Sequence, residues 1–206
     1  MTEAKARIVL RDRFCVSRET YDRLEHFKQM VIAENEVQNL ISTASIPWIW
    51  SRHILDSAQL LTHAPRSGTW MDLGSGAGFP GMVVAILREE PIILVESRRK
   101  RSDFLVKCAA TLGLQHVRVY PAKIEQMPPL KAGIISARAF APLPRLLSLA
   151  WPFADNDTHW LLPKGKSAHE ELALAQKTWQ GIFEMKPSRT QHDAQIIVAT
   201  AVRPKR

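Results

Sequence analysis

The sequence predicts a doubly wound α/β fold, a mostly parallel sheet with helices on both faces, preceded by a small helical N-terminal extension. Beyond Pro65, short apolar runs alternate with helical stretches in the order TWMDL, VVAILR, IILVE, SDFLVKCAATLGL, VRVY. That alternation marks βαβ units, whose parallel strands are buried on both faces and read as continuous apolar runs. A Gly-rich turn joins the first strand to the first helix, and the first third of the chain carries helical periodicity instead. The expected division is therefore a helical extension over residues 1–65 and a sheet domain over residues 66–206.

In chain order, Ser17 opens a helix expected to run to about Asn35, with Tyr21, Leu24, Phe27, Met30 and Val31 recurring on one stripe. Pro47 opens a second helical stretch that carries Ile54, Leu55, Ala58 and Leu61 on one side and ends near Ala64 and Pro65. After the βαβ alternation, AGIISA, HWLLP and QIIVATAV read as further strands, with LPRLLSLAW and AHEELALAQKTWQ as the helices between them. No internal repeat or low-complexity segment interrupts the pattern.

At 206 residues the chain suits one α/β domain of ordinary size plus an extension. Apolar residues at 46% and charged residues at 23% are enough to build a core and exclude a largely disordered chain. The 28 Lys and Arg against 20 Asp and Glu give a net charge of +8, which suits a polyanionic partner such as nucleic acid. Cys15 and Cys108 match neither a disulfide framework nor a zinc spacing, so free thiols in a reducing compartment and no metal are expected. No apolar run approaches the ~18 residues of a membrane span, and MTEAKARIVLRDRF lacks a signal-peptide core. A soluble, cytoplasmic protein without membrane contact is the expectation.

The chemistry concentrates in TWMDLGSGAGFPG. Asp72 ends the first strand, and Gly74, Gly76 and Gly78 follow at alternate positions, letting the backbone turn sharply against a ligand. Pro80 suits the first turn of the next helix. Gly76, Gly78 and Gly81 also fit G-x-G-x-x-G, the dinucleotide fingerprint, and Glu96 ends the second strand about 20 residues on, where a carboxylate accepts from ribose hydroxyls. Both S-adenosylmethionine and a nicotinamide dinucleotide contain such a ribose. Asp72 with three alternating glycines, D-x-G-x-G-x-G, favours S-adenosylmethionine, and a dinucleotide-dependent oxidoreductase is the alternative.

Five blocks sharpen the choice: RHILDS from Arg52, DLGSGAGFPG from Asp72, VESRRKRSDFL from Val95, SARAFAPL from Ser136 and PKGK from Pro163. Together they resemble the bacterial small-subunit ribosomal RNA methyltransferases also called glucose-inhibited division protein B, which modify guanine N7 in 16S ribosomal RNA. The resemblance implies a seven-stranded, mostly parallel, Rossmann-like S-adenosylmethionine-dependent fold. It places cofactor contacts on Gly74, Phe79, Glu96, Ser97, Ile124, Glu125 and Arg138, beside Asp72, Gly76 and Gly78 of the loop. It also implies 16S RNA, in its 530 loop or in a small-subunit particle, as the partner of a monomer. Ala122 stands where the family commonly has glycine, which bears on the local loop shape.

Guanine N7 carries a lone pair and no proton, so its methylation needs no general base and no catalytic acid–base residue is expected. SARAFAPL lacks both the Pro-Pro-aromatic motif of amine methylation and a cysteine nucleophile. Arg138 and Lys164 are the candidates for positioning. Arg52 and His53 are expected either to face RNA or to brace the cofactor domain, with Asp56 fixing His53, and further RNA contacts are expected from Arg98, Arg99 and Arg101 in the run after Glu96 and from Lys164 and Lys166. The tail residues Arg203, Lys205 and Arg206 extend the same footprint. Trp48 and Trp50 offer base stacking, with core packing the expected use of at least one. A non-catalytic RNA-binding protein on the same fold is the second alternative.

Overall fold

The structure is a computed structural model that describes residues 1–205; Arg206, expected in the basic tail, lies outside them. Two helices, α1 (Glu3–Arg13) and α2 (Arg18–Gln38), lead into an irregular helical segment. That segment runs through a 3-10 turn (Thr43–Trp48), a π turn (Trp50–Leu55), the single turn α3 (Asp56–Ala58) and a 3-10 turn (Gln59–His63). The sheet domain follows as β1 (Trp70–Leu73), α4 (Gly81–Leu87), β2 (Ile92–Val95), α5 (Arg99–Thr111), β3 (Val117–Tyr120), β4 (Ile134–Ala137), α6 (Leu143–Ala150), β5 (His159–Lys164), α7 (Ala168–Thr178), β6 (Trp179–Pro187) and β7 (Gln195–Pro204).

The strands form one seven-stranded sheet in the order β3-β2-β1-β4-β5-β7-β6. Strands β1 to β5 pair in parallel, and β7 runs antiparallel between β5 and β6. Strand alternation divides the core. Trp70, Ile92, Leu94, Ile134 and Leu161 face one cluster with Leu24, Phe27, Val31, Val83, Phe104 and Leu105, so α2, α4 and α5 cover that face. Met71, Leu73, Ile93, Val95, Ile135 and Leu162 face the other with Leu146, Leu147 and Ala175 of α6 and α7. The order reverses between β2-β1 and β4, and the carboxyl edge at such a switch is where this architecture opens a crevice.

Helix α2 begins as expected, because the Ser17 hydroxyl accepts from Thr20 N at 3.1 Å and caps an otherwise unpaired donor. It buries Leu24, Phe27 and Val31 of the expected stripe and adds Asn35, whose carboxamide accepts from Ile41 N and turns the chain. Three elements differ from the sequence reading. Helix α1 buries only Ala6 and Leu10, too few apolar positions in EAKARIVLRDR to show a period. The stretch opened by Pro47 is irregular, since Pro47 lies inside its 3-10 turn and supplies no N–H. The segment read as helix through Gln180 ends at Thr178, and Trp179 starts β6, an edge strand whose Gly181, Ile182 and Glu184 are exposed. With one face and one edge in solvent, β6 has no apolar run to announce it.

Candidate active site

The Gly-rich loop spans the crevice between the ends of β1 and β2. Gly74 N and Ser75 N both donate to Val95 O, at 2.8 and 3.2 Å, so the loop is stitched to the neighbouring strand. Gly74 has φ +66°, and a Cβ there would lie 2.6 Å from Phe140 Cδ2, so no other residue lets that ring close over the loop. Gly76 has φ +54°, yet a Cβ would meet nothing nearer than Gly74 O at 3.7 Å and Arg101 Nη1 at 3.8 Å. Its α-carbon therefore borders open space, a cradle that a side chain would fill.

Glu96 is buried, and its two oxygens hold two backbone donors: Gly76 N at 2.9 Å and Arg98 N at 2.8 Å. One carboxylate thus ties the glycine cradle to the turn after β2, with a second lone pair left on each oxygen. A cavity of about 340 Å³ opens beside it, lined by Gly74, Val95, Ser97, Ile124, Glu125 and Phe140. Gly74, Ser97, Ile124 and Glu125, scattered in sequence, line it together. Ala122 also lines it and stands outside the positive-φ residues, so this backbone makes no demand for glycine. The donor set fits an adenosine-containing sulfonium: backbone cradle, ribose-sized carboxylate, and an apolar floor at Ile124.

Three residues expected against the cofactor lie behind this surface. Asp72 is fully buried, accepting from Ser136 Oγ at 2.6 Å and Gly81 N at 3.2 Å. Burial pushes its carboxyl up to about 6, against the pull of those hydrogen bonds. Its part is to fix the loop from beneath. Gly78 is buried too; a Cβ there would press within 2.9 Å of Met82 and Phe27. Phe79 turns its ring inward, 5.4 Å from Phe27 and 4.9 Å from His53, between centroids. Pro80 sits one residue earlier than expected, as the N-cap of α4 after a cis peptide bond.

A second cavity, about 410 Å³, adjoins the first through Phe140, Ala141 and Pro142 and lies at the carboxyl ends of β4 and β5. Arg138 forms its inner wall. The guanidinium reaches His53 Nδ1 at 3.0 Å, Arg52 O at 3.3 Å and Asp56 Oδ2 at 3.5 Å, and lies 5.4 Å from the centre of the Phe79 ring. Arginine only donates, so Nδ1 accepts and the His53 proton sits on Nε2, which donates to Ser45 Oγ at 3.0 Å. Ser45 passes the chain on to Ser42 O at 2.7 Å. Burial, then the positive Arg138 and Arg52, pull His53 down to about 3, so the ring stays neutral.

These contacts bear on four expectations. Of its two expected roles, His53 takes the bracing one, as an internal acceptor for Arg138. Asp56 does not fix His53; it accepts from Thr190 Oγ1 at 2.5 Å and Gln59 Nε2 at 2.8 Å and meets Arg138 from the other side. Lys164 is spoken for by Glu171 at 2.8 Å and Ala141 O at 2.9 Å, with its side chain 9% exposed, so it braces β5 against α7. Trp50 is core, stacked on Tyr21 at 5.0 Å between centroids. Arg52, Arg98, Arg99 and Lys166 are exposed, although Arg99 pairs with Asp103 at 2.9 Å and Lys166 with Asp193 at 3.3 Å.

Sequence reasoning missed Ser188, Thr190 and Gln191, which the β6–β7 connection brings against Asp56 and the second cavity. Their polar run SRTQHD looks like any loop, and only the unrecognised β6 hairpin carries it to the site. Cys108 is buried and its thiol is pushed up to about 12, away from nucleophilic use. Among the described residues no cluster of three metal-ligating side chains occurs.

Comparison with known proteins agrees with this geometry. A family model described as rRNA small subunit methyltransferase G matches residues 20–195. Ribosomal RNA small subunit methyltransferase G of Sphingopyxis alaskensis is 50% identical, over 99% of this chain and 89% of its own length. The chain belongs to the ribosomal RNA small subunit methyltransferase G family. The Zymomonas mobilis member is 44% identical, over 100% of this chain and 97% of its own. Among solved structures, an O-methyltransferase from Bacillus cereus in complex with SAH superposes with a TM-score of 0.62 at 12% identity, over 96% of this chain and 97% of that one. At that identity the likeness concerns the fold, a methyltransferase sheet.

Proposed function

We propose that this methyltransferase G family member carries a methyl group from S-adenosylmethionine to N7 of a guanine in the 530 loop of 16S ribosomal RNA. When bound, S-adenosylmethionine supplies an electrophilic methyl on a positively charged sulfur. Gly74 and Gly76 would hold its methionine end by backbone approach, Glu96 would accept from its ribose, and Ile124, Glu125 and Ser97 would border its base. Arg138 and the second cavity receive the guanine alongside.

The observation that carries the choice of N7 is that, among the described residues, the histidine and the lysine nearest the second cavity are both engaged. His53 is neutral but has its acceptor nitrogen filled by Arg138, and Lys164 is paired with Glu171. An N7 lone pair needs neither. It would accept the methyl supplied by the bound cofactor with no proton to be removed by the protein. The task left to the protein is alignment, which in oriented intramolecular reactions is worth roughly 7 to 11 kcal/mol.

RNA contacts are assigned to Arg52 and Lys166, exposed on a cleft that adjoins the second cavity, and to Arg98 and half-buried Arg101 beyond Glu96. N7-methylguanine makes the glycosidic bond labile to reduction and aniline. Incubation with 16S RNA and cofactor, followed by reduction, aniline cleavage and primer extension, therefore gives a break at the modified base. A stop elsewhere, or methyl incorporation without any break, overturns the site or the nitrogen.

A further inference from the structure

We infer that Trp48 and Arg52 form a stacking subsite for an unpaired RNA base neighbouring the target guanine. The inference rests on the RNA-methylation reading above and extends it to a cleft outside the two cavities already described. That cleft has a volume of about 500 Å³, within the range of nucleotide-sized pockets, and its walls include Trp48, Ser51, Arg52, Lys166 and His192. It shares Gly165, Gln191 and Ala194 with the 410 Å³ cavity, so one continuous trough leads from the guanine position to Trp48.

Trp48 differs from the tryptophans around it. Trp50, two residues on, is sunk in the core, with its ring covered by Tyr21 on one side and approached by Arg7 at 5.0 Å and Lys28 at 5.9 Å. Trp151 is exposed as well, but packs edge-on to Trp179 at 6.4 Å. Trp48 is 46% exposed, and among the described residues its ring has no aromatic or cationic partner.

The backbone presenting it is pinned. Glu3 accepts from Trp50 N at 3.0 Å and Ser51 N at 2.8 Å, while Ser51 Oγ donates to Trp48 O at 3.2 Å. A large apolar face held outward on a fixed backbone loses little entropy when a flat partner covers it. An unstacked nucleobase is such a partner, since every base has a π-face and the interaction tolerates any sequence. Arg52 and Lys166, on the walls of the same cleft, meet the phosphates of that same strand. A double helix, whose bases are stacked internally, has no free face to offer this ring.

The test uses the full-length protein, deproteinised 16S RNA and three substitutions: Trp48→Phe, Trp48→Leu and Arg52→Ala. Filter binding reads RNA affinity, labelled cofactor reads methyl transfer, and calorimetry with S-adenosylhomocysteine checks the cofactor site. We expect Trp48→Leu to weaken RNA binding about tenfold and Trp48→Phe by no more than about threefold, the signature of a ring rather than of bulk. Trp48→Leu leaves the salt dependence of binding unchanged and Arg52→Ala makes it shallower. Unchanged affinity in Trp48→Leu, or equal losses for Phe and Leu, overturns the subsite. Wild-type protein that binds RNA but transfers no methyl overturns the methylation reading instead, and the affinity ratio still decides the subsite.

Discussion

The two cavities of this molecule are made of different material. The side proposed for the cofactor is mostly backbone: Gly74, Gly76, the carbonyl of Val95 and the amide of Arg98 are arranged by two short stretches and secured by one carboxylate, Glu96. The acceptor side is mostly side chains drawn from Asp56, Arg138, Lys164, Glu171, Ser188 and Gln191, on five separate elements or their connections. A backbone site needs particular residue types at fixed spacing, so it is written locally. A side-chain site needs only that polar groups arrive together, and its charges are then absorbed by one another, as Lys164 is by Glu171 and Arg138 by Asp56 and His53.

The sharpest way to break that contrast is to put a side chain into the backbone site. Gly76→Val should lower S-adenosylhomocysteine affinity by at least about a hundredfold, because the new atoms project into the cradle rather than into protein. The left-handed φ adds a folding cost of about 1–2 kcal/mol, which leaves a folded protein by circular dichroism. Gly81→Ala is the control for packing. Its Cβ would fall 2.3 Å from Leu94 Cδ2 and 2.7 Å from Asp72 Oδ2, so stability drops by about 1–3 kcal/mol. Undiminished affinity in folded Gly76→Val would remove the loop from the cofactor site.

Glu96→Gln is the next largest. Both oxygens accept from backbone N–H groups, so the amide nitrogen of Gln would face a donor and the cradle would lose one of its two ties. Hydrogen bonds to charged groups contribute about 1.5–3 kcal/mol, which sets a roughly ten- to hundredfold loss of cofactor affinity by calorimetry. An affinity within a factor of two of wild type would show that the carboxylate serves the fold alone.

The acceptor side predicts smaller effects with a pH signature. His53→Asn keeps an acceptor near Nδ1 for Arg138 and loses the bond to Ser45, whereas His53→Phe keeps the stack on Phe79 and leaves Arg138 without its partner. Methyl transfer should therefore survive better in Asn than in Phe. Folded His53 titrates near about 3, against an ordinary value of 6.5. Below 6.5 the unfolded chain takes up a proton that the folded protein refuses, so this stabilisation is complete above 6.5 and disappears as the pH falls toward about 3. Asp72 works oppositely: raised from 3.8 to about 6, its contribution is present below 3.8 and is lost as the pH rises through about 6. His53→Asn should accordingly flatten the fall in melting temperature between pH 6.5 and 5. Parallel melting curves for variant and wild type would place the His53 proton elsewhere.

How much could be read beforehand follows the same division. The parallel strands and the loop from Asp72 to Gly81 were legible because buried β runs and αL glycines leave a local mark. The resemblance supplied Ser97, Ile124 and Glu125, which the fold gathers around one cavity. Whether a residue faces the ligand or supports what does was not legible, since Asp72, Gly78 and Phe79 share the loop's spacing while lying behind it. Strand β6 escaped because an exposed edge strand alternates too weakly, and with it went the connection to β7 that carries Thr190 and Ser188. Which of its two roles His53 takes was not legible because its partner Arg138 is 85 positions away.

The smallest expected effect separates two arginines that look equivalent in RRKR. Arg99 is exposed and forms an i,i+4 pair with Asp103, an arrangement that contributes about 0.3–0.5 kcal/mol and leaves its charge partly cancelled. Arg101 is half-buried, and its guanidinium comes within 3.8 Å of the Cβ position of Gly76, at the lip of the cradle. Removing one phosphate-binding charge should make the plot of log affinity against log salt shallower by about 0.7 for a single strand. Arg101→Ala is thus expected to flatten the slope by about that amount and to slow methyl transfer, because the charge it removes lies beside the reacting cofactor. Arg99→Ala should change the slope by less than half as much and leave turnover alone. Equal slopes for both variants would assign RRKR to a solvated face. A larger effect at Arg99 would move the RNA path outward along α5, away from the acceptor cavity.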